Sequence, residues 1–137
     1  MINSRQISDL TPETQILCDK FIKECAKQDI DILITSTYRD SESQNALYAQ
    51  GRTAIGHKVT NARAGFSFHN YRIAFDFVPL KNGKAQWEDI DLFKHCGKIA
   101  ESLGLEWAGS WKSFREFCHC QLPGLSLTEL RSGKHLA

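Results

Sequence analysis

The strongest constraint on the fold comes from two distant segments, residues 67–76 and 116–119, which hold a suggestive set of polar residues. Together they offer two imidazoles and two carboxylates: His69, His119, Asp76 and Glu116. Two histidines and one carboxylate around an open fourth position make a catalytic zinc site, and a spare carboxylate can serve as a base. The pattern therefore predicts a zinc hydrolase whose fold brings the two segments side by side.

The first segment is predicted to enter a strand through a turn. Residues 73–78 alternate bulky apolar residues with smaller or polar ones, which is typical of a strand that buries one face. Asp76 then points away from the phenylalanines. Because His69 lies an odd number of residues before Asp76, we expect residues 70–72 to turn or bulge and bring both side chains to one face.

The second segment is predicted to form a strand over residues 117–122, with Glu116 just before it. The two-residue alternation of a strand places His119 toward the metal, and Cys118 and Cys120 toward the opposite face. We therefore interpret these two cysteines as small buried residues rather than as zinc ligands.

The other cysteines and histidines are left outside the site. An odd total of five cysteines without an export signal favours reduced thiols. Three of them fall on the apolar sides of predicted helices: Cys18, Cys25 and Cys96. Three histidines have no carboxylate at a suggestive spacing: His57, His95 and His135.

Composition favours a single domain spanning residues 1–137. With 42% hydrophobic and 24% charged residues, the chain can bury one sizeable core. A net charge of +1, with 17 basic residues spread along the chain, argues against nucleic-acid binding. No apolar run approaches about 20 residues, so neither a signal peptide nor membrane insertion is expected.

Hydrophobic periodicity predicts an α+β domain, with a small antiparallel sheet and helices packed mainly on one side. Helices are expected at residues 12–27, 41–50, 89–103 and 126–132, and strands at 31–37, 73–78, 106–108 and 117–122. Thr11 is the predicted N-cap of the first helix, with Pro12 at its first position. The long polar loop over residues 51–68 is expected to be functional.

Several separated motifs carry a family resemblance that spans residues 8–130. They are Ser36-Thr37-Tyr38-Arg39, Gln44, residues 47–53, residues 59–62, residues 69–76, and Trp111-Lys112-Ser113-Phe114 leading to Glu116 and His119. In order and spacing this set resembles the phage L-alanyl-D-glutamate peptidases, endolysins of the VanY-like, D-Ala-D-Ala carboxypeptidase superfamily of zinc peptidases. The resemblance implies the hedgehog/D-Ala-D-Ala peptidase-like fold.

The resemblance also implies roles for individual residues. One Zn²⁺ per chain would be bound by His69, Asp76 and His119, with Glu116 as the general base. Arg39 would act in catalysis and in substrate binding by engaging a carboxylate or carbonyl of the peptide. Two further residues would contact substrate: Ser67 and Gln44.

The implied activity is hydrolysis of the L-Ala-D-Glu bond in peptidoglycan stem peptides. The enzyme is expected to be a monomer without a separate cell-wall-binding domain. By family, it would stay in the cytoplasm of the host bacterium until lysis and then act at the cell wall or in the periplasm. A D-Ala-D-Ala carboxypeptidase or dipeptidase is the sibling alternative.

Two departures from the family pattern keep another alternative open, a degenerate domain that binds zinc or muropeptide without cleaving it. Arg72 replaces the usual glycine between two proposed ligands, where a long cation would strain a left-handed backbone or cover the cleft. Ser110 replaces an aspartate that could orient a ligand histidine. A thiol-based activity of Cys118 and Cys120 is disfavoured, since a strand lacks the helix N-terminus that depresses a thiol pKa.

Overall fold

The computed structural model describes residues 1–133 and confirms the α+β fold. Its helices and strands are α1 (Pro12–Lys27), β1 (Asp31–Ser36), α2 (Ser41–Ala49), β2 (Ala74–Lys81), β3 (Lys84–Ala85), α3 (Ile90–Ser102), β4 (Glu106–Trp107), β5 (His119–Gln121) and α4 (Leu127–Arg131). Short 3-10 helices lie at Ile7–Asp9, Phe68–Tyr71 and Ala108–Ser110. Within residues 1–133, no helix combines the length and apolar character needed to cross a bilayer.

The strands form one antiparallel sheet in the order β1-β2-β5-β4, and β3 pairs with the end of β2. Asp76 of β2 stands opposite His119 of β5 and is also paired with Ser36 of β1. This register places Asp76 in the middle of the sheet, flanked by both neighbouring strands.

The main core lies between the sheet and the helices α1 and α3. Four phenylalanines meet there and are essentially fully buried: Phe21, Phe75, Phe77 and Phe93. The rings of Phe21 and Phe77 are 4.9 Å apart in an edge-on arrangement, and Phe77 and Phe93 are 5.5 Å apart. Burying each such side chain stabilises the fold by about 2 kcal/mol. Because Phe75 and Phe77 point into this core, the alternation of β2 turns Asp76 to the other face.

Local signals explain most of the element boundaries. Thr11 caps α1 by accepting a hydrogen bond from the amide of Thr14, and Pro12 begins the helix, as predicted. The hairpin between β2 and β3 was not predicted, although Asn82 and Gly83, with φ of 52° and 76°, form the Asn-Gly turn typical of hairpins.

Candidate metal centre and its cleft

Three of the predicted residues meet at one point of the sheet. Asp76 Oδ1 lies 3.1 Å from His69 Nε2 and 3.2 Å from His119 Nδ1. One ligand atom from each of the three residues lies within 4.8 Å of the others. His69 comes from the 3-10 helix before β2, whereas Asp76 and His119 come from the paired strands β2 and β5.

A tight turn carries His69 to the same face as Asp76, which is the turn expected over residues 70–72. Ser67 Oγ accepts from the amide of His69, and the Asn70 side chain accepts from the amide of Ser67, so the two close a capping box. Arg72 then adopts the left-handed conformation, with φ of 63°, and reverses the chain into β2.

Each histidine is held by a partner on its second ring nitrogen. His69 Nδ1 donates to the carbonyl oxygen of Thr37 at 2.9 Å. His119 Nε2 donates to Gln121 Oε1 at 2.7 Å, and both side chains are buried. These bonds leave the lone pairs of His69 Nε2 and His119 Nδ1 directed at Asp76, as a metal ligand set requires.

The charges of the cluster are matched to a cation. Burial alone would raise the pKa of Asp76, but the charges and hydrogen bonds of His69 and His119 hold it well below its usual value, so the carboxyl is ionised. Burial would lower the pKa of His119, yet Asp76, followed by Glu116, raises it. The negative charge of Asp76 therefore favours positive charge beside it, whether a proton on His119 or a bound metal ion.

The donor set fits zinc. Two imidazole nitrogens and one carboxylate oxygen converge with their hydrogen-bond partners in place, and the cavity in front of them leaves room for a fourth ligand.

Glu116 lies at the open side of this cluster. Its Oε2 atom is 3.7 Å from His119 Nδ1, and its side chain is 55% exposed, so it can reach both a ligand at the metal and the solvent. The indole of Trp111 lies 5.6 Å from the His119 ring and donates from Nε1 to Glu106 Oε2 at 2.8 Å. This contact covers one side of the His119 ring.

Arg39 lines the same cleft, and three side chains hold its guanidinium in place. Its guanidinium donates to Gln44 Oε1 at 2.9 Å, to Ser36 Oγ at 3.2 Å and to Asn3 Oδ1 at 3.5 Å. Burial lowers the pKa of Arg39, while the charges of Asp76 and Glu116 act in the opposite direction, and an arginine stays protonated at neutral pH in any case.

Gln44 was predicted to bind substrate, but the structure places it beneath the cleft. Its side chain is fully buried between Arg39 and the carbonyl oxygen of Ala62, to which it donates at 2.6 Å. Gln44 therefore affects the cleft only indirectly, by accepting a hydrogen bond from the Arg39 guanidinium. The other predicted residues all line one cavity of about 670 Å³: Arg39, Ser67, His69, Asp76, Glu116 and His119.

The expectations for Arg72 and Cys118 were each confirmed only in part, since Arg72 does take the left-handed backbone. Arg72 does not cover the cleft, since its guanidinium stacks 3.7 Å from the centre of the Tyr38 ring and donates to the carbonyl oxygen of Asp9. Cys118 packs against the main core, as expected, but it also lines the cavity, since β5 begins only at His119 and the strand alternation does not extend to residue 118. Cys120 is buried in the main core, as expected.

The cysteines form no disulfide within residues 1–133, where all five are free. Burial raises the pKa of the Cys118 thiol, with Asp76 and Glu116 adding to the effect, and burial likewise raises that of Cys120. Thiols in this state are poor nucleophiles, which argues against a thiol-based activity.

Thr37, Gln121 and Trp111 are site residues whose roles were not predicted. Gln121 had a readable signal, since it lies two residues after His119 and therefore on the same face of the strand. No feature of the sequence indicated that the carbonyl oxygen of Thr37 would contact His69. Of the histidines left outside the site, His95 bonds to Gln28 on the surface and His57 lies in an exposed loop, while His135 is outside the described residues.

Comparisons with known proteins agree with this arrangement. A family model described as D-alanyl-D-alanine carboxypeptidase matches residues 60–122, which contain all three residues of the cluster. The peptidoglycan L-alanyl-D-glutamate endopeptidase CwlK of Bacillus subtilis is 36% identical over 130 residues, covering 84% of this chain and 74% of that protein. The L-alanyl-D-glutamate peptidase of Listeria phage A118 is 28% identical over 117 residues, covering 84% of this chain but only 38% of the phage protein.

Solved structures share the fold. The L-Ala D-Glu endopeptidase ChiX of Serratia marcescens superposes with a TM-score of 0.66 at 15% identity, covering 91% of this chain and 86% of that one. The vancomycin resistance D,D-pentapeptidase VanY, in complex with Zn(II), superposes with a TM-score of 0.62 at 11% identity, covering 90% and 78%. By its similarity to CwlK, and by its fold, the chain belongs to the D-alanyl-D-alanine carboxypeptidase family of zinc-dependent peptidases.

Proposed function

We propose that this chain hydrolyses the L-Ala-D-Glu bond of peptidoglycan stem peptides, with one Zn²⁺ bound by His69, Asp76 and His119. The single observation that carries the proposal is the convergence of three ligand atoms within 4.8 Å, with the Glu116 carboxylate beside them. The bond specificity is supported by the similarity to CwlK, a peptidoglycan L-alanyl-D-glutamate endopeptidase.

In the proposed mechanism, a zinc ion held by His69, Asp76 and His119 would lower the pKa of a bound water and act as a Lewis acid toward the scissile carbonyl. Glu116 Oε2 accepts the proton of the attacking water and passes it to the nitrogen of the leaving amine. Its exposed position at the cleft entrance lets the same carboxylate face the water first and the amine afterwards.

Arg39 supplies positive charge on the opposite side of the cleft. Because Gln44, Ser36 and Asn3 fix its guanidinium, little side-chain entropy is lost when it donates to a carbonyl oxygen or a carboxylate of the peptide. Ser67 lines the cleft beside His69, and we propose that it helps to position the peptide.

The test combines metal analysis with product analysis. Purified protein should contain about one zinc per chain, and cell walls treated with it should gain L-alanine carboxyl ends and D-glutamate amino ends, a reaction that a chelator stops. The Glu116→Gln variant should keep its zinc and lose turnover by about 10²–10⁴-fold, because only the proton acceptor is removed. Glu101→Gln, an exposed change on α3, is the matched control and should be fully active.

The alternatives give different products. Release of terminal D-alanine from stem peptides, without new L-alanine ends, would identify a carboxypeptidase instead. Zinc binding without any cleavage would identify a degenerate binding domain, and full activity of Glu116→Gln would contradict the proposed mechanism.

The expected monomeric state, the single-domain organisation and the release from the host cytoplasm at lysis stay predictions. A phage peptidase among the relatives supports the last of these. Gel filtration of the zinc-loaded protein would test the first.

A further inference from the structure

A second cavity, of about 520 Å³, adjoins the metal-site cleft along the loop that follows α2. It is lined by Tyr48, Asn61, Ala62, Arg63, Phe66 and Leu127. Four of these residues also line the cleft of the metal site: Asn61, Ala62, Phe66 and Leu127. The two cavities are therefore compartments of one groove, and a peptide that extends beyond the metal site in this direction enters the second one.

Two arginines from distant parts of the chain converge on Phe66 at this point. The guanidinium carbon of Arg131, at the end of α4, lies 4.1 Å from the centre of the Phe66 ring, and that of Arg63 lies 5.1 Å from it. A guanidinium stacked on an aromatic face keeps its N–H groups at its edge, where they can still donate to a planar anion.

The donors of both arginines are unused. Within residues 1–133, neither the Arg63 nor the Arg131 guanidinium donates a hydrogen bond or pairs with a carboxylate. Arg39, Arg52 and Arg72, in contrast, each donate to backbone or side-chain oxygens. Arg63 and Arg131 therefore have hydrogen-bonding capacity that the described part of the fold does not use.

The surrounding charge reinforces this pair. Arg52 stacks 4.0 Å from the Tyr48 ring centre and donates to the carbonyl oxygens of Tyr48 and Thr60, so it holds the wall of the cavity and adds positive charge. The cavity's lining, as described, contains no acidic residue, whereas the metal-site cleft contains Asp76 and Glu116. The groove thus has one compartment for a cation and one for an anion.

We propose that the second compartment binds a free carboxylate of the substrate peptide, carried beyond the residues that flank the scissile bond. This inference rests on the proposed function, because a peptidoglycan stem peptide carries such carboxylates at intervals along its length. The N–H fork of an arginine matches a planar carboxylate through paired hydrogen bonds. Arg63 lines the second compartment, and Arg131 stacks on Phe66 in its wall. The two arginines thereby select for free-acid over amidated stem peptides.

The test uses two synthetic peptides that contain the same L-Ala-D-Glu bond and differ only in whether the distal carboxylates are free or amidated. The zinc-loaded wild-type enzyme should cleave the free acid with about fivefold higher kcat/KM, the range expected for a partly exposed charge pair. In Arg63→Gln/Arg131→Gln the ratio of the two kcat/KM values should fall to about one. The matched control is Arg5→Gln, which removes another exposed arginine in the N-terminal segment, and it should keep the wild-type ratio.

Each outcome decides between the two proposals. Equal rates on both peptides with the wild-type enzyme would overturn the carboxylate subsite and leave the peptidase activity intact. Cleavage of neither peptide would overturn the proposed function and this subsite with it. A ratio that falls equally in Arg5→Gln would show a general charge effect and also overturn the subsite. If the double glutamine variant has a lowered Tm, Arg63→Lys/Arg131→Lys keeps the charge and must retain a ratio above one.

Discussion

At the residue scale, the orientation of the two candidate ligand histidines depends on uncharged partners. His69 donates to the carbonyl oxygen of Thr37, and His119 donates to the side-chain oxygen of Gln121. Both rings therefore have a hydrogen-bond acceptor that fixes their orientation, although Ser110 stands where an aspartate was expected. Because a neutral partner pushes less electron density onto the imidazole than a carboxylate does, a metal ion bound here would keep more of its Lewis acidity.

Gln121 can be tested by its effect on zinc affinity. Gln121→Leu removes the acceptor for His119 Nε2, frees the ring to rotate, and should weaken zinc binding by about 10–100-fold. Competition with a chromophoric chelator measures the affinity directly, without reference to turnover. Gln121→Glu keeps an acceptor at this position and should bind zinc more tightly than the leucine variant.

Gln86→Leu is the control, since Gln86 is half-buried, lies outside the site, and its side chain donates to the neighbouring carbonyl oxygen of Lys84. An unchanged affinity in Gln121→Leu would show that the surrounding core alone orients His119.

The sequence could reveal the types of the candidate ligand residues because histidine and aspartate are distinctive. It could not reveal the Thr37 carbonyl, since any residue supplies one and its place is set by tertiary packing.

At the scale of single elements, the turn that joins His69 to β2 places Arg72, rather than a glycine, in the left-handed backbone conformation. That conformation costs Arg72 about 1 kcal/mol relative to glycine. Its stacking on Tyr38 and its bond to the Asp9 carbonyl oxygen tie the turn to the N-terminal part of the chain and offset the cost.

Substitution of Arg72 separates these two effects. Arg72→Gly relieves the strain and loses the contacts, so the free energy of unfolding should change by less than about 1 kcal/mol. Because the side chain points away from the cleft, kcat/KM should stay within about twofold of the wild type. Arg72→Ala loses the contacts and keeps the strain, and should be about 1 kcal/mol less stable than the glycine variant in urea unfolding. A large gain of turnover in Arg72→Gly would instead mean that the arginine impairs the site.

The accuracy of the element predictions follows the strength of the local signals. Helix α1 was predicted to the residue because a cap, a proline and a clear apolar stripe coincide there. The N-terminal segment was missed, although Asn3 pairs with Arg39 and the amide of Ser4 donates to the carbonyl oxygen of Tyr38. A pairing this short has no periodicity to detect, yet it helps to fix the arginine of the cleft.

At the scale of the whole molecule, metal binding and stability should be linked through protons. The pKa of His119 is raised by Asp76 in the metal-free protein, so this interaction stabilises the fold below the unfolded-state pKa of about 6.5 and is lost as the pH rises through the folded-state value. Zinc requires the neutral ring. Its affinity should therefore rise from pH 6 to pH 8.

The measurable consequence is a gap in Tm between zinc-loaded and chelator-treated protein that widens from pH 6 to pH 8. A ligand at 100 times its Kd stabilises the folded state by about 2.7 kcal/mol, and each further tenfold rise in affinity adds about 1.4 kcal/mol. Differential scanning calorimetry at the two pH values provides the test, and His119→Gln should abolish both the gap and its pH dependence. A gap that narrows at the higher pH would contradict the proton linkage.

Two of the three candidate ligands lie outside the segment that forms most of the wall of the second cavity, and this has a consequence for how such a protein can diversify. Asp76 and His119 lie on paired central strands, whereas Asn61, Ala62, Arg63 and Phe66 belong to a long connection between α2 and β2. Insertions and substitutions in a surface connection cost little stability, while changes in a central strand pair cost much. Such a protein can thus change the wall of the second cavity by altering residues 61–66, while Asp76, His119 and the strands that hold them stay the same.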